Sequence, residues 1–228
     1  MGEGKDRFFY NEFADHFDKV VNMYDTDKRI KIVFKDLLPM TLNNKKVLDA
    51  GCGTGWFSKV AVEEGGDVVS LDIGMNLLKK VDEKCNSKKV NGDLLNLPFP
   101  SDSFDIVICS EAIEHTLSPK DAFKELVRVL AIGGILVLTV PNKFWFWSVW
   151  LANRLKLRPY EGIENWCSWK DLRSWSKEYK VVIDNIYGFH LFPFVLSFTN
   201  GILDYFDRYN HQLGPYMVNI AFKAFKKG

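Results

Sequence analysis

Cysteine is scarce in this 228-residue chain: there are four, at positions 52, 85, 109 and 167, with no Cys-x-x-Cys pair among them. That spacing gives neither a metal ribbon nor a disulfide framework, so the chain reads as one kept in a reducing, cytoplasmic setting. An excess of one charge is missing too. Thirty Lys and Arg stand against 29 Asp and Glu, which leaves no basic field for general nucleic-acid binding. The N-terminus is charged and lacks the apolar core of a secretory signal. The two most aromatic stretches are broken by Pro141, Asn142 and Lys143, and by His190, Pro193 and Asn200, so neither spans a bilayer. What remains is mass enough for one α/β domain with a substantial core.

The informative stretch is Val47-Leu48-Asp49-Ala50-Gly51-Cys52-Gly53-Thr54-Gly55-Trp56-Phe57. A short apolar run ends in an acid and a triple-glycine bend, and an amphipathic pattern follows at once. This predicts strand, tight loop and helix. Glycines there allow a ligand to lie directly against main-chain N–H groups. The next apolar run, Val68-Val69-Ser70-Leu71-Asp72, ends in an acid 21 positions after Gly51. A carboxylate about 20 residues past such a loop is where doubly wound folds hold a ribose.

The type of nucleoside follows from what the loop does not contain. A dinucleotide fingerprint needs glycine at position 56, where Trp56 stands. A P-loop needs a lysine directly after the last glycine, and the first one is Lys59. With no cation for phosphate and an acid at its mouth, the loop suits a ligand end that carries both an ammonium and a carboxylate, as S-adenosylmethionine does. "VLDAGCGTGWFS" resembles the first motif of the class I S-adenosylmethionine-dependent methyltransferases. "LPFPSDSFDIV" and "LTVPN" are similar to the group that includes ubiquinone and menaquinone biosynthesis methyltransferases.

The resemblance implies a Rossmann-like, doubly wound α/β fold: a seven-stranded, mostly parallel sheet with its last strand antiparallel and helices on both faces. It implies that Asp49 and the loop residues Gly51, Cys52 and Gly53 hold the cofactor's amino-acid tail. Asp72, with the adjoining Ile73, would take the ribose, Asp93 with Leu94 the adenine, and Ser110 and Glu111 the sulfonium side. His115, in Glu114-His115, is the candidate for contacting the acceptor or taking its proton; a structural hydrogen bond is the competing reading. No metal is required, and no ligand cluster is evident.

Along the chain, residues 1–45 read as a helical lid, 46–140 as the cofactor core and 141–228 as acceptor-side inserts with closing strands. Phe13, Phe17, Val20, Val21 and Tyr24 recur at helical spacing, as do Ile30, Val33, Phe34, Leu37 and Leu38. Tyr10 or His16 on the first of these helices would reach the ligand, unless its aromatics only cap the sheet. Gly133-Gly134 reads as the end of a helix begun at Ser118, and Ile135–Val140 as the fifth strand. Aromatic inserts follow, over 144–166 and 189–209. They fit a small apolar or lipid-like acceptor, a peripheral membrane contact, or mutual packing. Two other functions stay open on sequence alone: a non-catalytic cofactor-binding partner subunit and a nicotinamide-dependent oxidoreductase.

Overall fold

The computed structural model describes residues 22–38, 41–154, 162–193 and 200–228 of the chain. Tyr10, His16 and most of the first expected helix lie outside these residues.

Seven strands form one sheet in the order β3-β2-β1-β4-β5-β7-β6. Strands β1 (Lys46–Ala50), β2 (Asp67–Asp72), β3 (Lys88–Asn91), β4 (Phe104–Ser110) and β5 (Leu130–Pro141) pair in parallel. Strand β7 (Asn219–Lys226) runs antiparallel between β5 and β6 (Val181–Phe189). The parallel strands are apolar runs because both faces are covered. On one face, Val47, Ile106, Ile108 and Val137 pack under Phe57 and Ala61 of α2 (Trp56–Glu63). Ile32, Val33 and Leu37 join that cluster. On the other face, Leu48, Val107, Cys109 and Leu136 meet α4 (Pro119–Val129) and α6 (Trp169–Glu178). Helix α3 (Met75–Val81) adds Leu78 and Val81 against Cys52. The expected fold class is therefore the observed one.

Local signals explain the boundaries. Ser118 caps α4, accepting from the N–H of Asp121 with Pro119 in the first turn. Ser168 and Asp171 form a reciprocal capping box at the start of α6. The second expected helix is present as α1 (Met23–Lys31), which widens into a π-helical turn over Ile32–Leu37, with Leu38 N–H donating to Val33 O at 2.8 Å.

Two expectations need correction. Gly133 and Gly134 do not terminate α4, which ends at Val129 as the chain turns straight into β5. Leu130 pairs with Phe104, and the register then shifts before Ile106 meets Ile135. The two glycines absorb that shift: Gly133 takes φ +77°, and a Cβ on Gly134 would lie 2.9 Å from Asp105 O. Strand β6 also outruns the expected Val181–Ile183, because five further residues pair along β7 after a bulge at Asp184.

Candidate active site

Loop 51–55 connects the end of β1 to α2. Gly51, Gly53 and Gly55 all take positive φ, at +77°, +53° and +91°. At Gly51 the requirement is also steric, since an added Cβ would stand 2.4 Å from Ala112 Cβ. The expectation of unused loop N–H groups does not hold. Gly51 and Cys52 both donate to Leu71 O, at 2.8 and 2.9 Å, and Gly55 donates to Cys52 O. Gly53 donates to Asp72 Oδ2 at 2.9 Å. Buried main-chain donors must be paired, and the loop pairs these within the chain.

Asp72 ends β2 with its carboxylate clamped between two main-chain donors: Gly53 N–H on Oδ2, and Gly74 N–H on Oδ1 at 2.8 Å. Each oxygen keeps further acceptor capacity. Ile73 follows directly, and its carbonyl takes a hydrogen bond from Asn91 Nδ2. Burial raises the Asp72 pKa against the pull of those N–H groups. Asp49 takes a different position from the one expected. It lies beneath the start of α2, accepting the Ser58 hydroxyl at 2.6 Å. Ser58, Ser70 and Ser87 then continue as a buried hydroxyl chain, each link 2.6 Å. Burial lifts the Asp49 pKa from 3.8 to about 7, opposed by its hydrogen bonds from Ser58 and assisted by the Asp72 charge.

That shift predicts a pH dependence. Between about pH 4 and pH 7 the folded chain holds a proton on Asp49 that the unfolded chain has lost, so this group's contribution to stability falls as pH rises. Asp49→Asn keeps an acceptor for Ser58 and removes the charge. It should match the parent near pH 4 and exceed it by on the order of 1–3 kcal/mol at pH 8, read from urea denaturation at both pH values. An unchanged difference between the two would contradict a raised Asp49.

Asp93 lies past β3 in a turn, accepting Leu95 N–H at 3.0 Å, and Leu94 is buried in the core cluster. Ser110 ends β4, its hydroxyl 2.8 Å from that of Thr139 on β5. Glu111 adopts φ +51° and accepts from Asn219 Nδ2 of β7 at 3.2 Å. His115 Nδ1 lies 3.0 Å from Ile163 O. A carbonyl only accepts, so Nδ1 carries a proton, and Nε2 lies 3.9 Å from Glu114 Oε1. The same segment is zipped to 163–167 by Asn165 N–H on Glu114 O and Asn165 Nδ2 on Thr116 O.

Sequence reasoning missed a buried charged cluster beside Ser110. Arg29 of α1 pairs with Asp25 at 2.6 Å and donates to Ser110 Oγ at 3.3 Å. His190 Nε2 reaches Asp25 Oδ1 at 3.2 Å, so His190 braces α1 and is fully buried. Burial works against the Asp25 carboxylate, yet Arg29 and His190 outweigh it and hold its pKa below 3.8. Glu111 and Glu114 are both raised, first by burial and then, for Glu114, by its acidic neighbour. Glu114 Oε2 has no hydrogen-bond partner among the described residues. The Asp25–Arg29 spacing reads on sequence as an ordinary surface i, i+4 pair, so no signal marked it.

The donor set fits S-adenosylmethionine better than a phosphate ligand. The loop's donors named above are already used, and Asp72 retains acceptor capacity. A ligand that donates, through ribose hydroxyls and an ammonium, is complementary to such a surface. Among the described residues, no group of three or more His, Cys, Asp or Glu is arranged to hold a metal ion.

Residues 48–138 match the family described as "Methyltransferase domain". An uncharacterised protein of Methanocaldococcus jannaschii is 33% identical over 143 residues, 60% of this chain and 59% of that protein. Demethylmenaquinone methyltransferase of Paenarthrobacter aurescens is 31% identical over 138 residues, 56% of this chain and 54% of that protein. The chain thus spans somewhat over half the length of these two relatives. The fold is shared with magnesium protoporphyrin IX methyltransferase of Synechocystis, solved with bound S-adenosylhomocysteine, at TM-score 0.68 and 17% identity over 97% of this chain and 98% of that one. Loop, sheet order and family match agree over residues 48–138: that stretch matches a methyltransferase domain, and the sheet around it has the fold of the class I S-adenosylmethionine-dependent methyltransferases.

Proposed function

We propose that this protein transfers a methyl group from S-adenosylmethionine to a small apolar acceptor, quinone-like or lipid-like, and that it meets a bilayer surface at its periphery. The observation that carries the reading is Asp72, held by the loop's own N–H and still able to accept from a ribose. The relative named as a demethylmenaquinone methyltransferase supports the acceptor class. When bound, the cofactor supplies an electrophilic methyl on sulfur, so no leaving group has to be created by the protein. What the chain supplies is alignment and exclusion of water. Asp72 and Ile73 take the ribose, Asp93 and Leu94 the adenine, and the bend at Gly51, Cys52 and Gly53 the tail, with Asp49 shaping that bend from below α2. Ser110 and Glu111 face the acceptor side at the carboxyl end of β4, where open parallel sheets bind ligands. His115, with its proton fixed on Nδ1, presents Nε2 as the base for an acceptor hydroxyl.

Turnover to S-adenosylhomocysteine with hydroquinones of short apolar tail is the direct test. His115→Asn keeps a donor for Ile163 O and loses the basic nitrogen. Its kcat should fall about 100-fold while cofactor affinity stays within about twofold. Full activity in His115→Asn would make that histidine an anchor for segment 163–167 only.

A further inference from the structure

Exposed aromatic surface in this protein gathers where β5 leaves the sheet. The chain turns through Lys143–Trp145 into α5 (Phe146–Arg154). Phe144, Trp147 and Trp150 are 51%, 55% and 57% exposed, with Phe146 and Leu151 exposed beside them. Their ring contacts run largely within the patch: Trp145 stacks on Trp147 with centroids 5.6 Å apart, and Phe144 meets Tyr216 edge-on at 5.6 Å. Mutual packing, one of the sequence expectations, therefore leaves most of this surface in water. Neighbouring exposed apolar residues of this size mark a binding surface.

The charges carried by the described segment itself have one sign. From 143 to 154 it holds Lys143 and Arg154, and no Asp or Glu. Arg154 places its guanidinium carbon 5.5 Å over the Trp150 ring. Tryptophan rings beside cations on a short helix are the chemistry of a water–lipid boundary: rings enter the headgroup layer while guanidinium and ammonium groups stay at its phosphates. A second copy is disfavoured, because a self-complementary interface would set this cationic patch against itself.

We propose that the Lys143–Arg154 segment docks this protein on an anionic lipid surface. The proposal narrows the peripheral contact inferred above to one helix and one headgroup charge, and it rests on the apolar-acceptor reading for its use. Helix α5 begins just past Thr139 and Pro141, and the Thr139 hydroxyl bonds to Ser110. Docking here brings the end of β4 close to the layer in which an apolar acceptor dissolves.

The test uses the full chain with vesicles of phosphatidylcholine alone or mixed equally with phosphatidylglycerol, read by co-sedimentation and tryptophan fluorescence. The parent should bind the mixed vesicles at least about tenfold more tightly than the neutral ones, and about 0.5 M salt should weaken that binding. Trp147→Ser/Trp150→Ser should lose at least about tenfold on mixed vesicles with its thermal melt unchanged, and Arg154→Glu should lose most of the preference for anionic lipid. Equal binding to both vesicle types would overturn the anionic commitment while leaving a peripheral contact standing. Parent-level binding by the double serine variant would overturn its location. No binding to either vesicle would overturn the proposal, as would concentration-dependent dimerisation that the same variant abolishes. Turnover of the parent on a water-soluble acceptor is measured alongside, so failure of the methyl-transfer reading appears separately from failure to dock.

Discussion

Asp72→Ala should weaken cofactor binding by well over tenfold, more than 1.4 kcal/mol, in titration calorimetry. The ribose loses its acceptors, each charge-assisted bond being worth more than a neutral one. The N–H groups of Gly53 and Gly74 also lose their partner, and that cost, about 1–3 kcal/mol for a buried unpaired donor, falls on the stability of the folded chain. One effect opposes these: the burial that raises the Asp72 pKa means that deleting its charge relieves a penalty. That relief acts on apo stability and contributes nothing to ligand contacts, so affinity falls further than stability. Asp72→Asn, which keeps one acceptor oxygen, should lie between parent and alanine. A folded alanine variant with parental affinity would remove Asp72 from the site.

Gly51→Ala should cost stability rather than affinity alone. At φ +77° an L-residue pays about 1–2 kcal/mol for its Cβ. That Cβ would also fall 2.4 Å from Ala112 Cβ, an atom with no side-chain torsion by which to swing aside. Overpacking of this kind costs a further ~1–3 kcal/mol. The expected total, about 2–5 kcal/mol, corresponds to a thermal midpoint lower by on the order of 10 °C for a chain of this size. Adding Ala112→Gly to Gly51→Ala should recover the collision part and leave the backbone part. Denaturant titration of the two variants measures both. If Ala112→Gly gave no recovery, the approach of loop 51–55 to the residues after β4 would be wrong.

These two positions were legible in the sequence because their roles are local. Three glycines between an acid and an amphipathic run dictate the bend, and near-continuous apolar runs dictate strands buried on both faces. The Ser118 and Ser168 caps are equally local. What stayed hidden depends on contacts between distant segments. Asp25 and Arg29 are an ordinary helical pair until α1 is laid over Ser110. Asp49 was assigned to a ligand because strand-end acids commonly face one, yet Ser58, nine residues on, claims its carboxylate. His190 stands out in the sequence only as a polar break in an aromatic stretch, and only the fold reveals Asp25 as its partner. The Gly133–Gly134 pair misled for a related reason: a helix stop and a register shift use the same residue, and strand pairing alone distinguishes them.

The position of β7 carries a consequence for how the chain is made. It is translated after β6 yet lies between β5 and β6, supplying Ile220, Phe222 and Ala224 to the interior. Until it emerges from the ribosome, β5 has an unpaired flank along Ile135–Pro141, an apolar edge open to sticking to other nascent chains. A stop codon between residues 142 and 219 would leave that edge permanently bare, so such fragments should be insoluble even though every residue of the glycine bend is present.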